Sequence, residues 1–181
     1  MLNKRLILIL LSFVTLLAGI LFAGCSQTDA GASDKEVIEE VLALEFNGPD
    51  EELMELMWNP DNKTVVDGIE VNEEFDKYVQ EKYGEYFTES ALDTFIRTAG
   101  ITYQTFAHWN DYTLDFKGAT IEEAENASNK YTFTAQVGYQ KEGGEEEIAD
   151  VEGVVLFSTA EKKIGKFHYG KDSGLSDELR K

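Results

Sequence analysis

Apolar positions in this chain recur with a helical period up to about residue 100 and with a strand period after it. Ser33-Asp34-Lys35-Glu36 has the form of a capping box, with Ser at the cap and Glu three residues on. Val37, Ile38, Val41, Leu42 and Leu44 follow at helical spacing, predicting a helix over 34–46. Asn47-Gly48-Pro49 breaks it. Pro49 is expected as the first residue of a second helix that carries Leu53, Met54, Leu56, Met57 and Trp58 and stops at Asn59-Pro60. The stretch 59–72, rich in Asn, Asp and Gly, reads as a loop. Asn72 opens a third helix with Phe75, Val79, Tyr83 and Tyr86 on one side. Thr88-Glu89 opens a fourth with Leu92, Phe95 and Ile96, and Gly100 stops it. The stripe Tyr78-Tyr83-Tyr86 reads as core facing a sheet.

Beyond Ile101 the period changes. Tyr131, Phe133, Ala135, Val137 and Tyr139 alternate with Thr132, Thr134, Gln136, Gly138 and Gln140, the signature of a half-buried strand. Glu142-Gly143-Gly144 predicts a hairpin turn. A second strand is expected over 146–158 with Gly153 as a bulge or bend, and a third over Ile164, Phe167 and Tyr169. An earlier strand is expected over 111–122, while 101–110 fits neither period. Residues 173–181 read as a polar tail with at most one short turn. Helices followed by antiparallel strands give an α+β domain over 34–172, with helices on one face of a sheet.

The first 33 residues are different in kind. Lys4 and Arg5 precede an apolar run from Leu6 to Phe22, and small residues lead to Cys25, the sole cysteine. That is the layout of an export signal. Leu21-Phe22-Ala23-Gly24-Cys25 resembles a bacterial lipoprotein signal with its lipobox, although Phe22 stands where Leu, Val or Ile is usual. The resemblance implies cleavage after residue 24, a diacylglyceryl thioether on Cys25, and a tether over 25–33. An uncleaved membrane anchor or a secretory signal cut elsewhere are the alternatives. The expected location is the outer face of a cell membrane, lipid-anchored, as in surface lipoproteins of Gram-positive bacteria. The tether is small, polar and Gly-containing, hence flexible.

Loss of residues 1–24 would take two of the 16 bases and none of the 35 acids, moving the net charge from −19 to −21. Such a balance argues against nucleic acid as a partner, because that binding rests on Lys and Arg neutralising phosphates. With Cys25 lipidated the domain has no thiol for a disulfide, a nucleophile or a metal ligand.

The order of elements resembles the nuclear-transport-factor-two-like superfold, a cone of helices over a curved sheet. The residues behind this are Tyr78-Val79, Tyr83 and Tyr86-Phe87-Thr88 with Leu92 and Phe95, then Tyr131-Thr132-Phe133-Thr134, Gly153 to Phe157 and Lys163 to Phe167. The resemblance implies a pocket between helices and sheet. Tyr103, Phe106, His108, Trp109 and Tyr112 are the expected lining, for a small apolar ligand. A cell-envelope protein partner is the other expectation for a non-catalytic domain.

Chemistry has few handles. His108, in the aromatic stretch, could act with a carboxylate in an isomerase, dehydratase or hydrolase of the same superfold. His168 is expected to face solvent, opposite Phe167 and Tyr169. Asp111 and Asp115 would share a strand face, most simply as solvated surface. No Gly-x-Ser-x-Gly elbow and no phosphate-cradling glycine loop occurs. Asp61-x-Lys63-x-Val65 breaks the calcium-loop pattern; Asp61, Asp67, Glu70 and Glu73 are the alternative, an irregular oxygen site in or beside the 59–72 loop, but no metal and no cofactor is expected.

Overall fold

The computed structural model describes residues 33–181. Cys25, the apolar run and nearly all of the tether lie outside them. The described residues form an α+β domain with helices packed against an antiparallel sheet. No helix among them is long and apolar enough to cross a membrane.

Helix α1 (Asp34–Phe46) begins as expected. Glu36 N–H donates to Ser33 Oγ, and Ser33 N–H donates to Glu36 Oε2. Helix α2 (Glu51–Trp58) starts two residues later than its sequence suggests, with Asp50 rather than Pro49 at the boundary. The cause is Gly48, which runs extended beside a strand, exchanging hydrogen bonds with Leu114, before the cis Gly48–Pro49 bond. Helices α3 (Glu73–Tyr83) and α4 (Glu89–Thr98) follow, capped by the Asn72 and Thr88 side chains. The segment that fitted neither period is helix α5 (Thr102–Trp109).

The 59–72 stretch is more than a loop. A 3₁₀ turn (Pro60–Asn62) leads into strands β1 (Thr64–Val66) and β2 (Ile69–Val71). Asp67 and Gly68 between them have φ of 53° and 81°. Two successive positive φ values make the tight turn that suits a hairpin's twist, and Asp-Gly supplies it at low steric cost.

The main sheet has the order β3-β4-β5-β6, all antiparallel, from β3 (Tyr112–Ala124), β4 (Ala127–Lys141), β5 (Glu147–Phe157) and β6 (Ile164–Tyr169). Period-two burial holds where it was expected. Tyr131, Phe133, Ala135 and Val137 of β4 face inward, as do Ala149, Val151, Val155 and Phe157 of β5. Gly153 is not a bulge: it stays in register opposite Phe133. A Cβ there would lie 2.2 Å from the Phe133 ring. The register shifts fall elsewhere, between Phe116 and Gly118, between Glu123 and Ala124 and between Leu156 and Phe157. Each sheet edge is bonded at one place. Gly48 and Asn47 bond to β3, and the Tyr86 carbonyl and Thr88 N–H bond to Ile164 of β6.

Between helices and sheet lies a continuous run of rings. Phe87 stacks on Phe95 with centroids 4.8 Å apart, Phe95 meets Phe167 at 5.1 Å, and Phe167 meets Tyr169 at 5.3 Å. Tyr169 then meets Tyr103 at 5.3 Å, and Tyr103 meets Phe46 at 5.2 Å. Each such contact adds about 0.5–1.5 kcal/mol beyond its buried area. Tyr83 of the expected stripe is fully buried, whereas Tyr78 and Tyr86 are half-buried.

The C-terminus corrects another expectation. Residues 173–181 are not a polar tail but part of the domain. Leu175–Glu178 is a helical turn (α6), and Leu175 and Leu179 are buried. Asp172 starts the turn, accepting from the backbone N–H groups of Gly174 and Ser176 and from the Tyr103 hydroxyl.

Candidate functional site

Of the five residues expected to line one pocket, only His108 and Tyr112 line a common cleft. Tyr103 is buried among Phe46 and Tyr169. Phe106 lies beneath the Arg180 guanidinium, 4.3 Å from its centroid. His108 Nδ1 is 3.4 Å from Glu51 Oε2. Trp109 is 63% exposed, edge-on to Trp58 at 5.1 Å. Tyr112 is buried on β3 beneath Lys141 Nζ. The physical reason is the helix: at 3.6 residues per turn, positions 103, 106, 108 and 109 point in different directions. The space beneath α5 is filled by the rings described above.

His108 and Tyr112 do share an open cleft of about 370 Å³ with Pro49, Glu51, Asp111 and Lys141. His108 and Glu51 are both solvent-accessible there. A second cleft, about 290 Å³, lies between α5, β6 and the C-terminal turn, with Tyr103, His168 and Arg180 on its walls. His168 is exposed, as its strand position required. Asp115 pairs with Lys117 at 2.5 Å, and Asp111 sits just before β3 with φ of 59°. Glu70 pairs with Lys63. Among the described residues no group of three or more His, Cys, Asp or Glu is arranged to hold a metal.

The most unusual polar group was not singled out from sequence. Glu45 is fully buried. Its Oε1 accepts from the Tyr83 hydroxyl at 2.8 Å, and its Oε2 accepts from Ile101 N–H at 3.1 Å and the Tyr169 hydroxyl at 3.4 Å. Burial pushes its pKa up to about 7, against the opposing pull of those three donors and of Lys82. The same burial, with the Glu45 charge, raises the pKa of Tyr83 and Tyr169. Ile101 adopts φ of 68°, a left-handed conformation rare for a β-branched residue. Its N–H is thereby aimed at Glu45 and its side chain is buried. A sequence signal existed: Glu45 falls on the stripe Ile38-Val41-Leu42-Phe46, three or four residues from its neighbours. Enclosed on all sides, Glu45 meets no external molecule; it joins α1, α3, the α4–α5 link and β6.

A neighbouring cluster fixes α2. Asp50 caps Leu53 N–H, accepts from the Tyr78 hydroxyl and pairs with Lys82. Burial raises the Asp50 pKa, but the Lys82, Leu53 and Tyr78 bonds together outweigh it and hold it below its ordinary value. Gln104, also buried, accepts from Asp50 N–H and donates to the Leu44 carbonyl.

Exposed apolar groups occur at the end of α2 and on the β1–β2 hairpin. Trp58 and Trp109 contact each other yet are 42% and 63% exposed. The β1–β2 hairpin presents Val65, Val66 and Ile69 to solvent. Its base is pinned to the last turn of α2, because Asn72 Nδ2 donates to the Leu56 carbonyl at 2.7 Å. Glu51, Glu52 and Glu55 on α2 are exposed. Comparison with family models, with curated proteins and with solved structures finds no match to this chain.

Proposed function

We propose that this chain is a lipid-anchored protein of the outer membrane face whose domain binds a protein partner without catalysing a reaction. The anchor rests on the lipobox-like run ending at Cys25. The element order and the helices packed on an antiparallel sheet support a nuclear-transport-factor-two-like cone as its architecture. Of the two binding expectations, the ring-filled interior favours a partner at the surface over a small ligand inside.

The observation that carries the reading is the exposed Trp58–Trp109 pair, with an apolar hairpin whose base is bonded to the last turn of α2. Trp is prominent among residues that dominate binding energy, and a two-stranded hairpin alone is marginally stable in water. The exposed Glu51, Glu52 and Glu55 and the overall negative charge specify a partner segment that is apolar and basic. The His108–Glu51 pair keeps a catalytic reading in view, but both groups lie in an open cleft.

Two measurements test this. Expressed in a Gram-positive bacterium with labelled palmitate, the chain is expected to take up label, and C25S to take up none; labelled C25S refutes the anchor. A photo-crosslinking residue at Val65 of the anchored chain is expected to capture one envelope protein. W58A/W109A should abolish that adduct while H108A leaves it intact; an adduct indifferent to the tryptophans refutes the binding face.

A further inference from the structure

We infer that the outer face of the main sheet carries a site for a small carboxylate with an apolar body. Independent of the anchor and of the tryptophan face, the inference starts from strand register. Lys130, Leu156 and Lys166 lie in one cross-strand row on β4, β5 and β6, and Thr132, Val154 and His168 in the next. Lys130, Val154, Leu156, Lys166 and His168 bound a groove of about 380 Å³ on the face turned away from the helices. That volume is in the range of small-molecule sites. Its floor is apolar, from Val154 and Leu156, and its walls are the lysine stems and the imidazole.

The charges decide the occupant. Five of the other described lysines form ion pairs, Lys63 with Glu70, Lys77 with Glu81, Lys82 with Asp50, Lys117 with Asp115 and Glu146, and Lys181 with Glu178, whereas Lys35, Lys141, Lys162, Lys163 and Lys171 form none; what sets Lys130 and Lys166 apart is that both border one apolar groove. Lys130 and Lys166 take part in no ion pair among the described residues. They stand two strands apart, roughly 10 Å at the backbone, and flexible stems let both ammonium groups converge over Leu156 on one carboxylate. Glu122, opposite Thr132 on β3, and Glu152, two residues before Val154, border the groove at its other end. They confine the anion to the lysine row and leave Val154 to the apolar body. The same acids, with the overall negative charge, repel an extended polyanion, so a small monoanion fits where nucleic acid or an anionic lipid surface does not.

The test uses the full chain in zwitterionic lipid nanodiscs, with empty nanodiscs subtracted. The probe is 4-(trifluoromethyl)benzoate, followed by fluorine NMR, against its uncharged amide. The carboxylate is expected to bind at least tenfold more tightly than the amide. K130Q/K166Q, which keeps long stems but removes both charges, should abolish that preference. L156N should weaken both probes, and W58A/W109A should change neither. Equal binding of acid and amide, or a preference that survives K130Q/K166Q in a variant with unchanged circular dichroism, overturns the assignment.

Discussion

Replacing Glu45 by Gln is expected to make the domain more stable at neutral pH, and the gain follows from the burial of one carboxyl. Glu45 has its pKa raised from 4.5 to about 7 by burial. Below pH 4.5 the group holds its proton both folded and unfolded, so it makes stability independent of pH there. Between 4.5 and about 7 the unfolded chain releases the proton while the folded chain keeps it, and stability falls as pH rises. Above pH 7 both states are ionised and the folded state carries the full penalty. At about 1.4 kcal/mol per pH unit, that gap corresponds to about 3 kcal/mol. Gln imitates the protonated acid. Its amide nitrogen, in place of Oε1, can donate to the Tyr83 oxygen, while its carbonyl accepts from Ile101 N–H and the Tyr169 hydroxyl. Urea unfolding followed by far-ultraviolet circular dichroism, repeated from pH 4 to pH 8, isolates the term as the difference between E45Q and wild type. Other titrating groups are common to both and cancel. The difference should be near zero at pH 4 and grow to about 3 kcal/mol by pH 8. A difference that does not change with pH refutes the assignment of Glu45 as a carboxyl whose ionisation opposes folding. E45A is the counter-case: it leaves buried donors unsatisfied, at about 1–3 kcal/mol each, at every pH.

Three further outcomes follow from the packing. G153A should cost about 1–3 kcal/mol in thermal or urea unfolding, because its methyl would enter the Phe133 ring and the His168 carbonyl. The double variant F133A/G153A should cost less than the sum of the two single changes. L179A should cost about 2–5 kcal/mol, since Leu179 is fully buried; a near-neutral result would mean the C-terminal turn is not docked. D50A should lose about 1 kcal/mol or more from its helix cap. Because the folded Asp50 pKa is depressed, its stabilisation is present above the ordinary value of 3.8 and lost as pH falls below it. D50A should therefore lose less stability than wild type on acidification through that range, measured by the same urea series.

Much of the fold was legible along the chain, and the failures share a cause. The capping box at Ser33, the helix-starting side chains of Asn72 and Thr88, and the alternation of β4 need only neighbours in sequence. Helix α5 was not legible: its start is the left-handed Ile101, whose N–H is held by Glu45, 56 residues earlier. Leu175 and Leu179 looked like isolated apolar residues in a polar tail, because the core that covers them is assembled elsewhere. The β1–β2 hairpin was the exception, since Asp67-Gly68 between apolar residues was a local signal.

The site followed the same division. The stretch from Tyr103 to Tyr112 is dense in aromatic residues, but density in sequence does not give direction in space. A helix scattered those side chains into core, cation contact, open cleft and solvent. By itself the sequence determined what depends on short-range periodicity and composition: an α+β order of elements, strong negative charge and a single cysteine at 25. Only the tertiary structure decided which groups lost water and which met. It buried Glu45 beneath two tyrosines, brought Trp58 to Trp109, and set Lys130 and Lys166 either side of Leu156. Those meetings join residues 10 to 124 positions apart, where desolvation and strand register, not local propensity, fix the neighbours.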